Sequence, residues 1–322
     1  MKSRFISIIL TGMFCIFAIL AAGCTDSSNP TAGTGTHKIY ISGAFALYPM
    51  MIEWSEQYKT LHPEVTFEIS AGGAGKGMTD ALSGMVDLGM VSRDIYPEEV
   101  EKGAVYVAVA KDAVVGTLNS HNPYLPEIQR KGISKETLNE IYIEKRITSW
   151  NQLSENPGAD AINIYTRSDA CGAAEMWAKY LGYNQEDLNG IGIYSDPGLA
   201  DAVKNDRLGI GYNNIGYAYD STSGKPLDGL AIIPLDLNGN GLIDEDENFY
   251  STKVEIMHAI ADGRYPSPPA RELNLVTRGE FKGATRDFVH WILTDGQKYV
   301  PEAGYVGLGD ERIQSQIQIL NK

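Results

Sequence analysis

The chain of 322 residues is 43% hydrophobic and 21% charged, enough for two packed α/β domains or one large one and far from the composition of a disordered segment. Lys and Arg total 27 against 41 Asp and Glu, and the net charge of -14 excludes a protein that tracks nucleic acid or an anionic membrane surface by general electrostatics. Any anion it binds must be captured by a local site.

The chain opens with Lys2 and Arg4, an apolar run from Phe5 to Leu20, and then Ala21, Ala22, Gly23 and Cys24. A charged start, an apolar stretch and a small-residue cleavage site form an export signal. The pattern looks like a lipoprotein signal over residues 1–23, with Cys24 the acylated residue that tethers the chain to the outer face of the cytoplasmic membrane, at the cell surface or in the periplasm. An uncleaved anchor helix is the alternative, because the run approaches a membrane span in length; both readings export the domain. Of the three cysteines, at 15, 24 and 171, two fall in this segment, so no disulfide framework is expected. Residues 24–36 are small and polar or Pro and Gly after Cys24, and read as a flexible tether.

From His37 the pattern alternates. Strands are expected at Lys38 to Ile41, Thr66 to Ile69 and Val86 to Val91, each followed by a helix, at Tyr48 to Leu61, Lys76 to Leu82 and Pro97 to Lys102. Two further apolar runs, Val105 to Ala110 and Ala113 to Leu118, read as separate strands. A helix at Lys135 to Ile143 and a turn at Trp150 precede a second βαβ block: strand Ile162 to Thr166, helices Ala173 to Leu181 and Leu199 to Asn205, strands Leu208 to Tyr212 and Leu230 to Pro234. Helix Lys253 to Asp262, strand Leu273 to Thr277 and one long helix, Ala284 to Val300, complete the pattern. This is α/β grammar with a mostly parallel sheet. Trp54, Trp177 and Trp291 fall at apolar helix positions and read as core.

Three strand-to-helix junctions carry loops of small residues: Ser42 to Ala46, Ser70 to Gly77 and Arg167 to Ala173. Such loops lie at the carboxyl ends of parallel strands, where the free N–H groups of a helix start favour an anion. The second loop is not a P-loop, because Ser70 stands where the first Gly of GxxxxGK[ST] belongs and Gly77 where Ser or Thr belongs.

The stretches SGAFALYP at 42–49, SAGGAGKGM at 70–78, DLGMVSRD at 87–94, YTRSDACGAAEMW at 165–177, LGIGY at 208–212 and WILTDGQKYV at 291–300 resemble the phosphate-binding lipoproteins of phosphate ABC importers. The resemblance runs in order from Lys38 to Leu320. It implies a two-domain type II periplasmic-binding-protein-like clamp, with mixed sheets flanked by helices and the ligand cleft between the domains. Domain 1 would comprise 37–115 and 230–322, and domain 2 would comprise 116–229. The implied function is capture of inorganic phosphate by a membrane-anchored monomer that delivers it to ABC permease subunits, with no nucleic-acid partner and no enzymatic activity.

Carried over position by position, the resemblance implies an anion site of Ala44 and Phe45, of Gly72, Gly73 and Ala74, of Ser92 and Arg93, and of Arg167, Cys171, Gly172 and Ala173. Arg167 suits bidentate donation to a tetrahedral oxyanion. Asp169 is expected to hold Arg167 or to cap the following helix, because a carboxylate facing an oxyanion is repulsive. Where the family has Ser and Thr hydroxyls, this chain has Ala44, Phe45, Ala74, Cys171 and Ala173, so backbone N–H groups are expected to supply most donors. Two guanidinium groups, Arg93 and Arg167, would reward full negative charge, the other reading of Arg93 being a surface or interdomain ion pair. These departures leave tungstate, molybdate or sulfate open as the ligand. A calcium-stabilised surface interaction protein that keeps the fold but has lost transport is the reading from another class, and an enzyme with Cys171 as nucleophile at a helix start is the third.

A separate signal spans 236–247. Asp236, Asn238 and Asn240 occupy positions one, three and five of an EF-hand loop, Gly241 the sharp turn, Leu242 the carbonyl at seven, Asp244 position nine and Glu247 position twelve. The expected ion is calcium, acting as a structural clip, since the residues before the loop read as strand and not helix.

Overall fold

The computed structural model describes residues 36–155 and 158–322. The expected signal at 1–23, the acylated Cys24 and the tether up to residue 35 lie outside the described residues.

Strand β1 (His37–Gly43) buries Ile39 and Ile41 on its core face. It is followed by α1 (Tyr48–Leu61), which Pro49 opens in its first turn, and β2 (Val65–Ala71). Next come α2 (Ala74–Ser83), stopped by left-handed Gly84, then β3 (Leu88–Val91) and α3 (Pro97–Glu101). Strands β2 and β3 both pair with β1 in parallel.

The two apolar runs after α3 form one strand, β4 (Ala104–Asn119), 16 residues long. The break expected at Lys111 and Asp112 does not occur. Asp112 is buried within the strand, directly opposite Arg271, so its charge has a partner inside the fold and need not turn to water.

The middle of the chain runs through α4 (Leu125–Lys131), β5 (Ile133–Ser134), α5 (Lys135–Tyr142), β6 (Asn163–Arg167) and α6 (Gly172–Leu181). Then follow β7 (Ile191–Ile193), α7 (Asp196–Lys204), β8 (Gly209–Asn214), α8 (Ile215–Ala218), β9 (Leu230–Ile232) and β10 (Leu235–Asp236). The last part holds α9 (Lys253–Asp262), β11 (Ala270–Arg278), α10 (Gly283–Leu293), α11 (Tyr299–Glu302) and α12 (Asp310–Leu320). The long helix expected to Val300 ends at Leu293. Thr294 leaves helical geometry, with φ -117° and ψ -99°, and the Gly296 carbonyl after it accepts the buried Trp54 indole N–H at 2.9 Å.

The strand order is β2-β1-β3-β11-β4-β8-β6-β7, with β9 also on β4. The sheet is mixed: β11 runs antiparallel to both β3 and β4, and β8 and β9 antiparallel to β4, whereas β6 pairs in parallel with β7 and β8. Two large hydrophobic cores flank this path, with a small cluster of Ala200, Val203 and Leu230 beside them. One gathers β1 to β3, the first half of β4, the second half of β11, and α1, α2, α10 and α12. The other gathers the second half of β4 with α5, α6, β8, β9 and α9. Residues Ala231 to Ala270, grouped by the sequence with the first domain, pack in the second core, because β9 hydrogen-bonds to Thr117–Asn119 at the far end of β4. The chain rejoins the first core at Leu273. Trp54, Trp177 and Trp291 are core residues. No helix among the described residues is long and apolar enough to cross a membrane.

Candidate anion site

The loops at the carboxyl ends of β1, β2, β3 and β6 meet. The Gly43 carbonyl accepts the N–H groups of Gly72 (2.9 Å) and Gly73 (3.1 Å), joining the first loop to the second. The Gly75 N–H donates to the Ala170 carbonyl at 3.1 Å, joining the second to the fourth. A Cβ on Gly172 would lie 2.1 Å from the Ser92 carbonyl oxygen, so the third loop rests on the start of α6. The Arg167 guanidinium lies 5.4 Å from the centre of the Phe45 ring, which closes the circuit from fourth loop to first. Glycine is required at 73, where φ is 92° and a Cβ would sit 2.7 Å from the Ala170 carbonyl oxygen.

Three helical segments start here: the short 3-10 turn Phe45–Leu47, α2 and α6. The first N–H groups of α2 and α6 have no acceptor within their own helices. Those of Ala74, Gly172 and Ala173 therefore remain as donors, and the positive helix ends add to the attraction for an anion.

Arg167 ends β6 with its side chain fully buried. Its Nε and Nη2 donate to Asp169 Oδ1 (2.8 Å) and Oδ2 (2.6 Å), and Nη1 donates to Asp196 Oδ2 at 2.5 Å. One N–H each on Nη1 and Nη2 is left over from this fork, enough for a bidentate grip on an oxyanion. Two carboxylates on one guanidinium leave the trio with net negative charge, so an arriving anion depends on the surrounding dipoles as well as on Arg167.

Arg93 is engaged in ion pairs. Its guanidinium is tied to Glu99 by Nη1 (2.9 Å) and Nη2 (2.6 Å), to the Asp94 carbonyl by Nη1 (2.7 Å), and lies 3.2 Å from Glu175 through Nε. The physical reason is Glu99, a buried carboxylate on α3 that needs a cation and finds Arg93 six residues away. Glu175 belongs to α6, and Lys179 on the same helix pairs with Asp94. The residues after Ser92 thus fasten the third loop to α6. The expectation of two free guanidinium groups facing the ligand is not met.

Cys171 is buried and its Sγ accepts the Ala174 N–H at 3.5 Å, in the manner of a helix-capping hydroxyl. Burial pushes the thiol up to about 12, against the pull of Arg167, so it is a thiol at neutral pH. No reaction with Ellman's reagent is therefore expected until the protein unfolds; rapid labelling of the native chain would contradict this placement.

A PBP superfamily domain model matches residues 25–295 of this chain. The chain belongs to the PBP superfamily. It is 25% identical over 322 residues to the phosphate-binding protein PstS of Bacillus subtilis (strain 168), covering 97% of this chain and 96% of that protein. It is 23% identical to the phosphate-binding protein PstS of Methanocaldococcus jannaschii, covering 99% and 95%. A crystal structure from Clostridium perfringens, described as a phosphate ABC transporter substrate-binding protein with bound phosphate, superposes with a TM-score of 0.69 at 22% identity over 85% of this chain and 100% of that one. An ABC-type phosphate transport receptor from Vibrio cholerae superposes with a TM-score of 0.60 at 19% identity over 84% and 100%.

Several residues around Arg167 and the first loop were not legible in the sequence. Asp196 is buried at the start of α7 and takes Arg167 on one oxygen and the Asn214 side chain (2.8 Å) on the other. Tyr217 and Tyr305 donate their hydroxyls to the Phe45 (3.2 Å) and Ala46 (2.7 Å) carbonyls, which fixes the first loop. The motif around Asp196, Ser195-Asp196-Pro197-Gly198, reads locally as an ordinary helix start, and Ser195 does cap α7 through Gly198 N–H. Only the tertiary fold brings its neighbour to Arg167.

The loop 236–247 folds on itself. Asp236 Oδ1 accepts the N–H groups of Gly239 and Asn240, and Oδ2 accepts that of Gly241. The amides of Asn238 and Asn240 both donate to Asp244 Oδ2 at 2.8 Å, so positions three, five and nine are tied together. Glu247 is buried and accepts the N–H groups of Leu237, Asn238 and Asp244. Among the described residues no three His, Cys, Asp or Glu side chains group as a metal site, so an ion here would depend on the two Asn oxygens and the Leu242 carbonyl.

Proposed function

We propose that this chain is the extracytoplasmic substrate-binding lipoprotein of an ABC importer and captures inorganic phosphate between its two cores. The observation that carries the reading is the meeting of four loops around a buried Arg167 with two unspent N–H groups, beside the starts of α2 and α6. Full-length relatives named phosphate-binding protein PstS support phosphate as the anion. The backbone amides of Ala74, Gly172 and Ala173 stand in for the hydroxyls lost on these loops, whereas those of Ala44 and Cys171 are spent on the Met90 carbonyl (2.9 Å) and Gln185 Oε1 (3.2 Å). The strands β4 and β11 pass between the cores and serve as the hinge, so that closure buries the anion and presents the closed form to the permease. Export through the N-terminal signal and lipid anchoring at Cys24 belong to the same proposal, and catalysis does not.

The test is calorimetric titration of the protein, unfolded and refolded to strip bound anion, with phosphate, sulfate, molybdate and tungstate. One-to-one binding of phosphate is expected, with the others weaker. Heat with another oxyanion alone would move the substrate, and no heat with any would end the carrier reading.

A calcium ion in the 236–247 loop is proposed as a structural clip beside β10. Ligand bound to the folded state alone adds about 2.7 kcal/mol at a hundredfold excess over Kd. Calcium should accordingly raise the melting temperature by several degrees, chelation should reverse the shift, and Glu247→Gln should remove it. An unchanged melting temperature with calcium would show the loop to be an acidic turn.

A further inference from the structure

Buried within the strand crossing lies an ion pair that the anion-site reading above does not use. Arg271, the second residue of β11, stands opposite Asp112 of β4, where both strands pass from one core to the other. Its Nη2 is 3.5 Å from Asp112 Oδ2, and both side chains are almost wholly buried. A buried pair is weak evidence for stability, because desolvation of both charges offsets their attraction. This pair is also incompletely satisfied: Arg271 Nη1 and Asp112 Oδ2 have no hydrogen-bond partner. An apolar pair at the same depth would cost the fold less. Stability alone therefore does not account for it.

What Arg271 touches does. Its Nε donates to the Ser92 carbonyl at 3.2 Å, the same oxygen against which Gly172 and the start of α6 rest. Its Nη2 donates to Asn214 Oδ1. Asn214 in turn donates from Nδ2 (2.8 Å) and its backbone N–H (3.3 Å) to Asp196 Oδ1, and the other oxygen of Asp196 holds Arg167 Nη1. Ser92 follows β3 of the first core, whereas Asn214, Asp196 and Arg167 belong to elements of the second.

We propose that Arg271 is a positioning residue of the anion site: one planar guanidinium at the hinge ties the Ser92 loop of one core to Asn214, Asp196 and hence Arg167 of the other. It sets the register in which the third and fourth loops face the ligand. Lysine cannot replace it, since a single ammonium lacks the fork that reaches two acceptors in fixed directions. The proposal rests on the anion-binding reading and adds to it the residue that aligns the two halves.

The test measures phosphate affinity by calorimetry and cooperative urea unfolding for four proteins. They are the unaltered chain, the neutral pair Arg271→Gln with Asp112→Asn, Asn214→Ala, and the three changes combined. The neutral pair removes both charges of the ion pair together, leaving buried Lys253 with the Ala303 carbonyl but without the attraction of Asp112, and is expected to weaken phosphate binding roughly 10- to 100-fold, the range for outer partners of preorganised sites. Asn214→Ala acts on the same chain of contacts, so the combined loss is expected to fall well short of the product of the separate losses. Arg271→Lys, which keeps the charge, is expected to lose a similar factor and decides the matter if the neutral pair does not fold. A neutral pair or Arg271→Lys protein that binds phosphate as tightly as the unaltered chain, with only its stability changed, overturns the positioning role and leaves the anion site standing. Independent, multiplicative losses would also overturn it. An unaltered chain that binds none of phosphate, sulfate, molybdate or tungstate removes both readings together.

Discussion

Arg167→Ala should abolish phosphate binding and also weaken the fold, and the two losses should be separable. The guanidinium supplies the charge-assisted donors of the site, each worth about 1.5–3 kcal/mol, so loss of two reduces affinity by roughly 100-fold or more. The remaining Asp169 and Asp196 then face the anion unneutralised and turn attraction into repulsion. Stability falls for a different reason: Asp196 is buried and loses its cation, and breaking a buried pair from one side costs about 3–5 kcal/mol.

A second change isolates the two effects. Asp196→Asn added to Arg167→Ala removes the stranded charge and keeps a group that can still accept from Asn214. Most of the stability should return and the phosphate affinity should not. Denaturant midpoints report the first quantity and calorimetric titration the second. If Arg167→Ala bound phosphate like the unaltered protein, the anion would sit elsewhere and the meeting of the four loops would be mere packing.

The legible part of this molecule is local. Small-residue loops after β1, β2 and β6 mark themselves in the sequence because only Gly permits the φ of Gly73 and the approach of Gly172 to Ser92. Arg167 marks itself because a cation opening a small-residue loop at the end of a strand needs a reason to be there. The illegible part is the set of partners supplied from far along the chain. Asp112 looks like a strand break until Arg271, on a strand that returns much later, is placed opposite it. Arg93 looks like a ligand-facing cation until α3 presents Glu99. Asp196 and Asn214 sit in a helix start and a strand end that local patterning explains fully, which hides their place under Arg167. The switch of Ala231 to Ala270 between cores follows from a three-residue strand, β9, too short to announce its pairing.

Glycine substitutions at 172 and 77 should distinguish packing between the cores from packing within one. At Gly172 a Cβ would meet the Ser92 carbonyl oxygen at 2.1 Å and Oγ at 2.3 Å. The helix start belongs to one core and the Ser92 loop to the other, so the clash can be relieved by parting the cores along the hinge, without unfolding either. Gly172→Ala should then stay folded, scatter X-rays as a more open particle, and bind phosphate at least about 100-fold more weakly, since a misplacement of about 1 Å in a preorganised site has effects of that order. At Gly77 a Cβ would meet the Met90 carbonyl oxygen at 2.4 Å, the Gly43 Cα at 2.8 Å and the Ser42 carbonyl oxygen at 3.0 Å. Here α2 lies on β1 and β3 within a single core, no hinge can take up the strain, and only lifting the helix from the sheet relieves it. Gly77→Ala should therefore cost stability, about 3 kcal/mol or more given that backbone is the obstacle, while the molecules that remain folded keep most of their affinity. Tight phosphate binding by Gly172→Ala would mean that the Ser92 loop does not rest on α6 in the liganded protein, and that closure brings other parts of the two cores together.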